Sequence, residues 1–477
     1  MYKYKIYACI SLSADKKHFT VVGKNVIIPI AFINGHFDQI KEGVLMEYLV
    51  INGQKKLNGE VNINGAKNAA VAVISAAAMA NDICIIDNLP NIEDITSLID
   101  AMNAIGVKCR FIDDHALEID PRHMINHVAT NESVRKIRAS YYLIGVLLGK
   151  YRKAEVAMPG GCNFGSRPID QHIKGFKALG AEVSVENGLV KAYADELIGT
   201  SIYLDVVSVG ATINIMLAAA LAEGTTIIEN SAKEPHVVDT ANFLNMMGAN
   251  IKGAGTDVIR ITGVKELKGV EYTIIPDQIE AGTYMIAAAA TGGDVTVRNI
   301  IPKHMDPLTA KLYEMNCAVM EGDDYLRVIG SENLTATNIK TRAYPGFPTD
   351  LQPQMTALLC VAQGTGVITE NIWESRFQYV DELKRLGCNI TVEGKIAIVE
   401  GKANLTGAEV SATDLRAGAS LIIAALASKG RTVISNVRFI DRGYENIEGK
   451  LSALGAEVIR VNSKETAKKI KFLKEIS

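Results

Sequence analysis

Residues 217–230 read LAAALAEGTTIIEN: an alanine-rich helix with almost no charge, a glycine turn, and a short strand that stops at an asparagine. The phrase returns as SAAAMANDICIIDN (75–88), IAAAATGGDVTVRN (286–299), ALLCVAQGTGVITE (357–370) and IAALASKGRTVISN (423–436), with IGVLLGKYRKAEVAMPG (144–160) as a divergent copy. A helix that is apolar around its whole circumference must be buried on every side. Each copy therefore predicts a helix inside a core rather than on its surface.

A second phrase keeps the same period: the end of an amphipathic helix, then Leu, Ile or Met followed by Gly, then an alternating strand. It reads AIGVKCRF (104–111), ALGAEVSV (178–185), MMGANI (246–251), RLGCNITV (385–392) and ALGAEVIRV (453–461), and in EMNCAVM (314–320) Asn316 replaces the glycine. Glycine or asparagine suits the left-handed position that ends a helix before a strand. Two phrases sharing a period of roughly 70 residues describe six repeats. The expected fold class is α/β, in two domains of three repeats, each with its sheets wrapped around a core of its own buried helices.

The rest of the composition narrows the function. At 477 residues the chain is too long for one core. Fifty Lys and Arg against 53 Asp and Glu exclude a general nucleic-acid or membrane-surface binder, so any anion site must be local. Seven cysteines without a C-x-x-C pair fit neither a disulfide framework nor a zinc site; a reducing cytoplasm and no metal are expected. No run reaches the roughly 20 apolar residues of a membrane helix. The N-terminal MYKYKIYACISLSA is only a weak match to a signal peptide.

A polar segment precedes each buried helix: NGAKNAA (Lys67, Asn68), KIRAS (Arg138), VSVGAT (Ser208), PDQIEAGT (Asp277, Glu280), PTDLQ (Thr349, Asp350) and ATDLRAGAS (Asp414, Arg416). Ser, Thr, Asp and Asn are the residues that cap helix N-termini. Lysine and arginine are not, because they sit against the positive end of the helix dipole. Lys67, Arg138 and Arg416 therefore need solvent or an anion, and an anion between them would gain both side chains and dipole. The Gly-rich stretch MPGGCNFGSRPID (158–170) reads as a mobile loop over that site, with Cys162 beside Arg167, where a cation lowers a thiol pKa towards reactivity. Cys84, Cys109, Cys317, Cys360 and Cys388 lie in apolar phrases and read as core. Trp373 beside Arg376 and Phe377 suits a nucleobase or a hinge contact, and Arg442 in FIDRGYENIE falls in a turn.

At these motifs, NGAKNAA, PGGCNFGSRP, SVGAT, PTDLQ, ATDLRA and DRGYE, the chain resembles the UDP-N-acetylglucosamine 1-carboxyvinyltransferase family of enolpyruvyl transferases, from about Met46 to about Val461. The resemblance implies two inside-out α/β barrel domains, each of three βαβαββ-type repeats around buried helices: one over 67–274, a second combining 46–66 with 275–477, and a hinged cleft between them. It implies transfer of the enolpyruvyl group of phosphoenolpyruvate to the 3-hydroxyl of UDP-N-acetylglucosamine with release of phosphate, by addition and elimination, as the first committed step of peptidoglycan precursor synthesis. The implied partners are these two small molecules, without cofactor, nucleic acid or membrane, and no oligomer is required.

Residue by residue, the resemblance puts Lys67, Asn68, Arg138, Arg167, Arg416 and Arg442 around phosphoenolpyruvate. Cys162 would donate the proton and be alkylated by fosfomycin, Asp350 would be the base for the sugar hydroxyl, Asp414 would assist proton transfer, and Lys67 and Arg442 would act in the chemical steps. Asn68, Arg138, Arg167, Pro168, Ile169, Asp170, Gln171, Val206, Val207, Ser208, Val209, Asp350 and Ile372 would line the nucleotide-sugar site. Val206 stands where some members carry a lysine on the uridine side, and Trp373 where others carry Phe. Shared fold and phosphoenolpyruvate make 5-enolpyruvylshikimate-3-phosphate synthase the nearest alternative, but its family lacks the loop cysteine motif. A non-catalytic nucleotide-sugar-binding paralogue is the other, and it would have no need of residues that act only in a transition state.

Residues 1–45 carry no repeat phrase. Lys41, Glu42 and Gly43 can be encoded as AAG-GAG-G, a ribosome-binding sequence just upstream of Met46, so translation is expected to begin there. Intact-mass measurement of the protein from its native cell is then expected to lack this stretch; a mature chain carrying Tyr2 through Leu45 overturns the expectation.

Overall fold

The structure, a computed structural model, describes residues 10–11, 20–21, 47–124, 127–136, 138–158, 169–401 and 404–469. The expectation for residues 1–45 thus falls almost wholly outside the described residues. The uncharged phrases form the helices Lys67–Ala77, Tyr142–Tyr151, Val209–Ala219, Gln278–Thr291, Gln352–Val361 and Leu415–Ala427, and nearly every residue in them is buried. Two apolar cores form around them. One draws its buried residues from 66–274; the other joins 49–63 with 279–458.

Among the described residues, six four-stranded sheets enclose these helices, three on each core. All six share one plan. In the sheet of the opening phrase, Thr225–Glu229 pairs in parallel with Ser201–Tyr203 and antiparallel with Val258–Thr262, which in turn pairs antiparallel with Asn250–Lys252. Strands alternate in burial, as in the buried Ile259 and Ile261 of Val258–Thr262, so each sheet lays one face on its helices and turns the other outward. The helices are inside and the sheets outside, which is the inside-out α/β arrangement expected of six such repeats. No helix among the described residues is long and apolar enough to cross a membrane.

The repeat residues do the work their chemistry suggests. Gly106, Gly180, Gly248, Gly387 and Gly455 end their helices at φ between 92° and 106°, and Asn316 takes the same role at 67°. Asn88, Asn230, Asn299 and Asn436, which close the strand of the first phrase, are also left-handed, at φ between 55° and 61°. Each donates its side-chain amide to the strand lying parallel to its own: to Ile274 O at 3.0 Å, Leu204 O at 2.8 Å, Ile63 O at 2.6 Å and Ser411 Oγ at 2.8 Å. Glu370 holds that place in the phrase at 357–370, and it has no left-handed backbone.

The chain passes between the two cores twice, and the two passages lie side by side. Gly65 bridges Pro276, the Ala66 N–H donates to Ile275 O at 2.7 Å, and the Asp277 N–H donates to Asn64 O at 2.9 Å. A Cβ on Gly65 would come within 1.7 Å of Asn88 O, so only glycine fits.

Within the first core, Gly145 lets two buried helices, Tyr142–Tyr151 and Val209–Ala219, approach closely. Its N–H donates to Asn214 Oδ1 at 2.8 Å, and an added Cβ would lie 2.4 Å from both Asn214 O and Oδ1. Gly145→Ala is expected to cost about 1–3 kcal/mol by overpacking. Denaturant unfolding of the variant against the parent checks this.

Candidate active site

The N-terminus of the Lys67–Ala77 helix has no side-chain cap of its own. Its first N–H, on Lys67, donates to Asp277 Oδ2 at 3.1 Å, while Asp277 Oδ1 caps the Gln278–Thr291 helix of the other core through Ile279 and Glu280. One carboxylate thus serves two helix ends from two cores. The Lys67 ammonium is met by Asp94 Oδ2 at 2.7 Å. Arg442, from the second core, places Nε 2.8 Å from Asp94 Oδ1. Asp94 is only 6% exposed. Burial pushes its carboxyl up, but Lys67 and Arg442 outweigh that and hold it below the usual carboxylate range.

A second ion-pair group lies within electrostatic reach of Lys67. Asp350 sits in a 3₁₀ turn, Thr349–Leu351, ahead of the Gln352–Val361 helix, and not at the cap itself as its segment suggests. Its Oδ2 accepts from Arg416 Nε at 3.2 Å and Nη2 at 3.1 Å, and Arg376 Nη2 is 3.6 Å from Oδ1. Burial alone would raise the Asp350 carboxyl; Arg416, Arg376 and Lys67 bring it down to about 2. Its side chain nevertheless stays 32% exposed. Arg416 is buried, with its guanidinium 5.4 Å from the centre of the Tyr444 ring, and its Nη1 finds no hydrogen-bond partner among the described residues. Lys67 and Arg416 at their helix starts are therefore offset by the protein's own carboxylates, Asp94 and Asp350, where the sequence suggested solvent or a bound anion.

The family comparisons agree with one another. The model of the EPSP synthase (3-phosphoshikimate 1-carboxyvinyltransferase) family matches residues 51–451. The UDP-N-acetylglucosamine 1-carboxyvinyltransferase of Clostridium botulinum is 59% identical over 379 residues, 80% of this chain and 91% of the relative. UDP-N-acetylglucosamine 1-carboxyvinyltransferase 3 of Caldanaerobacter subterraneus is 57% identical over 416 residues, 87% of this chain and all of the relative. The chain belongs to the UDP-N-acetylglucosamine 1-carboxyvinyltransferase family. Among solved structures, the enolpyruvyl transferase NikO from Streptomyces tendae aligns with a TM-score of 0.80 at 26% identity, over 87% of this chain and 99% of NikO. EPSP synthase from Acinetobacter baumannii shares the fold, with a TM-score of 0.68 at 20% identity, over 87% of this chain and all of that one.

In this member of the family, Asp414 caps the Leu415–Ala427 helix, its Oδ1 accepting from the N–H of Arg416 and of Ala417. Ser208 caps Val209–Ala219 through the Ala211 N–H. Asn68 lines a small cavity with Asp277, His236 and His304, and burial holds the His236 imidazole below its ordinary range against the pull of Glu234, Asp277 and Asp350. Ile169 is buried, and Asp170 opens the helix Asp170–Ala178. Gln171 donates to Asp170 Oδ2 and Asp205 Oδ2 and accepts from the Asp205 N–H, which anchors the segment carrying Val206, Val207, Ser208 and Val209. Val206, Val207 and Ile372 are exposed. Arg138 opens a 3₁₀ turn, Arg138–Tyr141, and its side chain lies outside the described residues. Cys162, Arg167 and Pro168 lie outside them altogether.

Sequence reasoning passed over Asp94 because an acidic residue in the first turn of an outer helix, Glu93–Ala104, has a sufficient explanation in the helix dipole. Asp94→Asn, which leaves two cations around a neutral group, is expected to cost about 3 kcal/mol. A depressed folded-state pKa makes this contribution fully present above the ordinary carboxylate value and lost below it. The stability difference between parent and Asp94→Asn should therefore shrink as pH falls below about 4, which denaturant unfolding at a series of pH values measures.

Proposed function

We propose that the chain transfers the enolpyruvyl group of phosphoenolpyruvate to the 3-hydroxyl of UDP-N-acetylglucosamine, releasing phosphate, at the first committed step of peptidoglycan precursor synthesis in the cytoplasm, and so supports wall growth, cell shape and division. The observation that carries this reading is the convergence of Lys67 and Arg442, from different cores, on a single carboxylate. A pocket that satisfies one small anion with two cations can do the same for a phosphate or carboxylate of the substrate. Arg416 adds an unpaired N–H nearby, and Arg138 and Arg167 complete the set by family likeness. The units 67–274 and 46–66 with 275–477 would close over both substrates, with the paired crossing passages as hinge.

In this reading Asp350 receives the sugar hydroxyl. Held by two guanidiniums, its carboxylate accepts a hydrogen bond but is a poor proton acceptor, with a pKa of about 2. Drawing Arg416 towards the incoming phosphoenolpyruvate would remove the strongest of these pulls and raise the basicity of Asp350 as the hydroxyl arrives. Cys162 on the 158–170 loop would deliver a proton to the methylene carbon, and Asp414 would assist transfer from its capping position. The exposed Val206–Val207 pair and Ile372 would meet the nucleotide sugar, with Asn68, Ser208, Val209 and residues 167–171 around it.

Phosphate release from phosphoenolpyruvate is expected with UDP-N-acetylglucosamine and not with shikimate-3-phosphate; the reverse preference would move the chain to the shikimate enzyme. Asp350→Asn is expected to lower kcat about 10²–10⁴-fold in the same assay. Cys162→Ser should abolish labelling by fosfomycin, read by intact mass, and persistent labelling would place the reactive thiol elsewhere.

A further inference from the structure

The repeat corner closed by Asn88, Asn230, Asn299 and Asn436 is built differently in the other two repeats: Met158 follows the strand of the divergent copy, and Glu370 follows the strand Thr365–Thr369. The break at Glu370 is not a fault in the fold. Asn371 takes over the structural task, donating its amide to Thr341 O at 2.9 Å, which is the kind of bond Asn88, Asn230 and Asn299 make to a carbonyl of their parallel neighbour. Glu370 is left to turn inward, and it is fully buried. Its Oε1 accepts from Thr341 Oγ1 at 2.9 Å, from the Ile372 N–H at 2.8 Å and from the Trp373 N–H at 3.1 Å. Its Oε2 accepts from Thr349 Oγ1 at 3.0 Å.

Burying a carboxylate is costly unless it is well satisfied, and four sister corners do without one. The carboxylate therefore answers to something other than the fold. What it joins are two segments that meet the proposed acceptor site from different sides. Thr349 precedes Asp350, and its carbonyl accepts from Arg376 at 3.3 Å, the same guanidinium that faces Asp350. Ile372, which is exposed, and Trp373, which is half-buried, begin the loop that follows, and Ile372 is one of the residues proposed above to meet the nucleotide sugar.

We propose that Glu370 is a positioning residue for the acceptor sugar, fixing the Asp350 turn and the Ile372–Trp373 backbone in one register so that the hydroxyl meets the carboxylate in a productive geometry. The proposal rests on the enolpyruvyl-transfer reading and names which substrate the residue serves. It has no direct bearing on the phosphoenolpyruvate pocket around Lys67 and Arg442.

The test uses the full chain with Glu370→Gln, Thr349→Val and Thr349→Ser, comparing phosphate release as each substrate is varied and UDP-N-acetylglucosamine binding by calorimetric titration. Glu370→Gln is expected to lower kcat/KM for UDP-N-acetylglucosamine on the order of 100-fold. The KM for phosphoenolpyruvate should stay within about twofold. Thr349→Val should move the same parameter in the same direction, and Thr349→Ser, which keeps the hydroxyl, should recover most of the loss. A folded Glu370→Gln with unchanged sugar-side parameters, or with equal losses on both substrates, overturns the proposal; if that variant does not fold, Thr349→Val against Thr349→Ser decides by the same criteria. Should the parent release no phosphate, the functional reading fails by itself, and weaker sugar-nucleotide binding in the variants still tests the positioning role.

Discussion

A helix with no polar face can be satisfied along its length only by being surrounded, and six such helices set the plan of this molecule. Surrounding them takes sheets with one apolar face, which the alternating strands supply. The sides of the helices are then settled, but the ends are not. Each N-terminus brings unsatisfied N–H groups and the positive pole of its dipole to the edge of a core that has no polar groups to spare. Ser208, Asp277 and Asp414 answer this at three ends, and the Asp277 carboxylate serves a fourth across the two cores.

That requirement explains why charge gathers where it does. Once helix ends from both cores share carboxylates, cations can be tolerated beside them, and Lys67, Arg442, Arg416 and Arg376 are held by Asp94 and Asp350 rather than left to solvent. Two carboxylates offset two of these four cations, so each of the two groups keeps a surplus of positive charge. No large positive field builds up over the molecule as a whole, whose net charge is −3.

The fold was legible because its rules are local. A glycine that ends a helix, an asparagine that closes a strand and a helix without charge can each be read within a dozen residues, and the φ angles of Gly106, Gly455 and Asn316 follow from them. The site was legible only where a residue type contradicts its local role, as Lys67 and Arg416 do at helix starts. Asp94 contradicts nothing locally, and its importance comes from Arg442, 348 positions away. Glu370 lay between these cases: the sequence shows a departure from the asparagine rule, but only the structure shows that Asn371 fills the vacated role and what the freed carboxylate grips.

The last sheet of the second core is built from both ends of the described chain. Tyr48–Asn52 lies between Arg431–Ser435 and Glu457–Val461, pairing with both. The first core draws on one continuous stretch, whereas the second must wait for its closing strands with Leu49 and Ile51 exposed, residues that end fully buried. On the ribosome the order of events is thereby imposed by connectivity: the inserted unit can collapse while synthesis continues, and the outer one can be completed only when the final strand emerges. An early stop codon after the strand at 431–435 would leave Tyr48–Asn52 with an open edge, a template for pairing with other chains, so the cost of truncation would fall at the opposite terminus from the lesion.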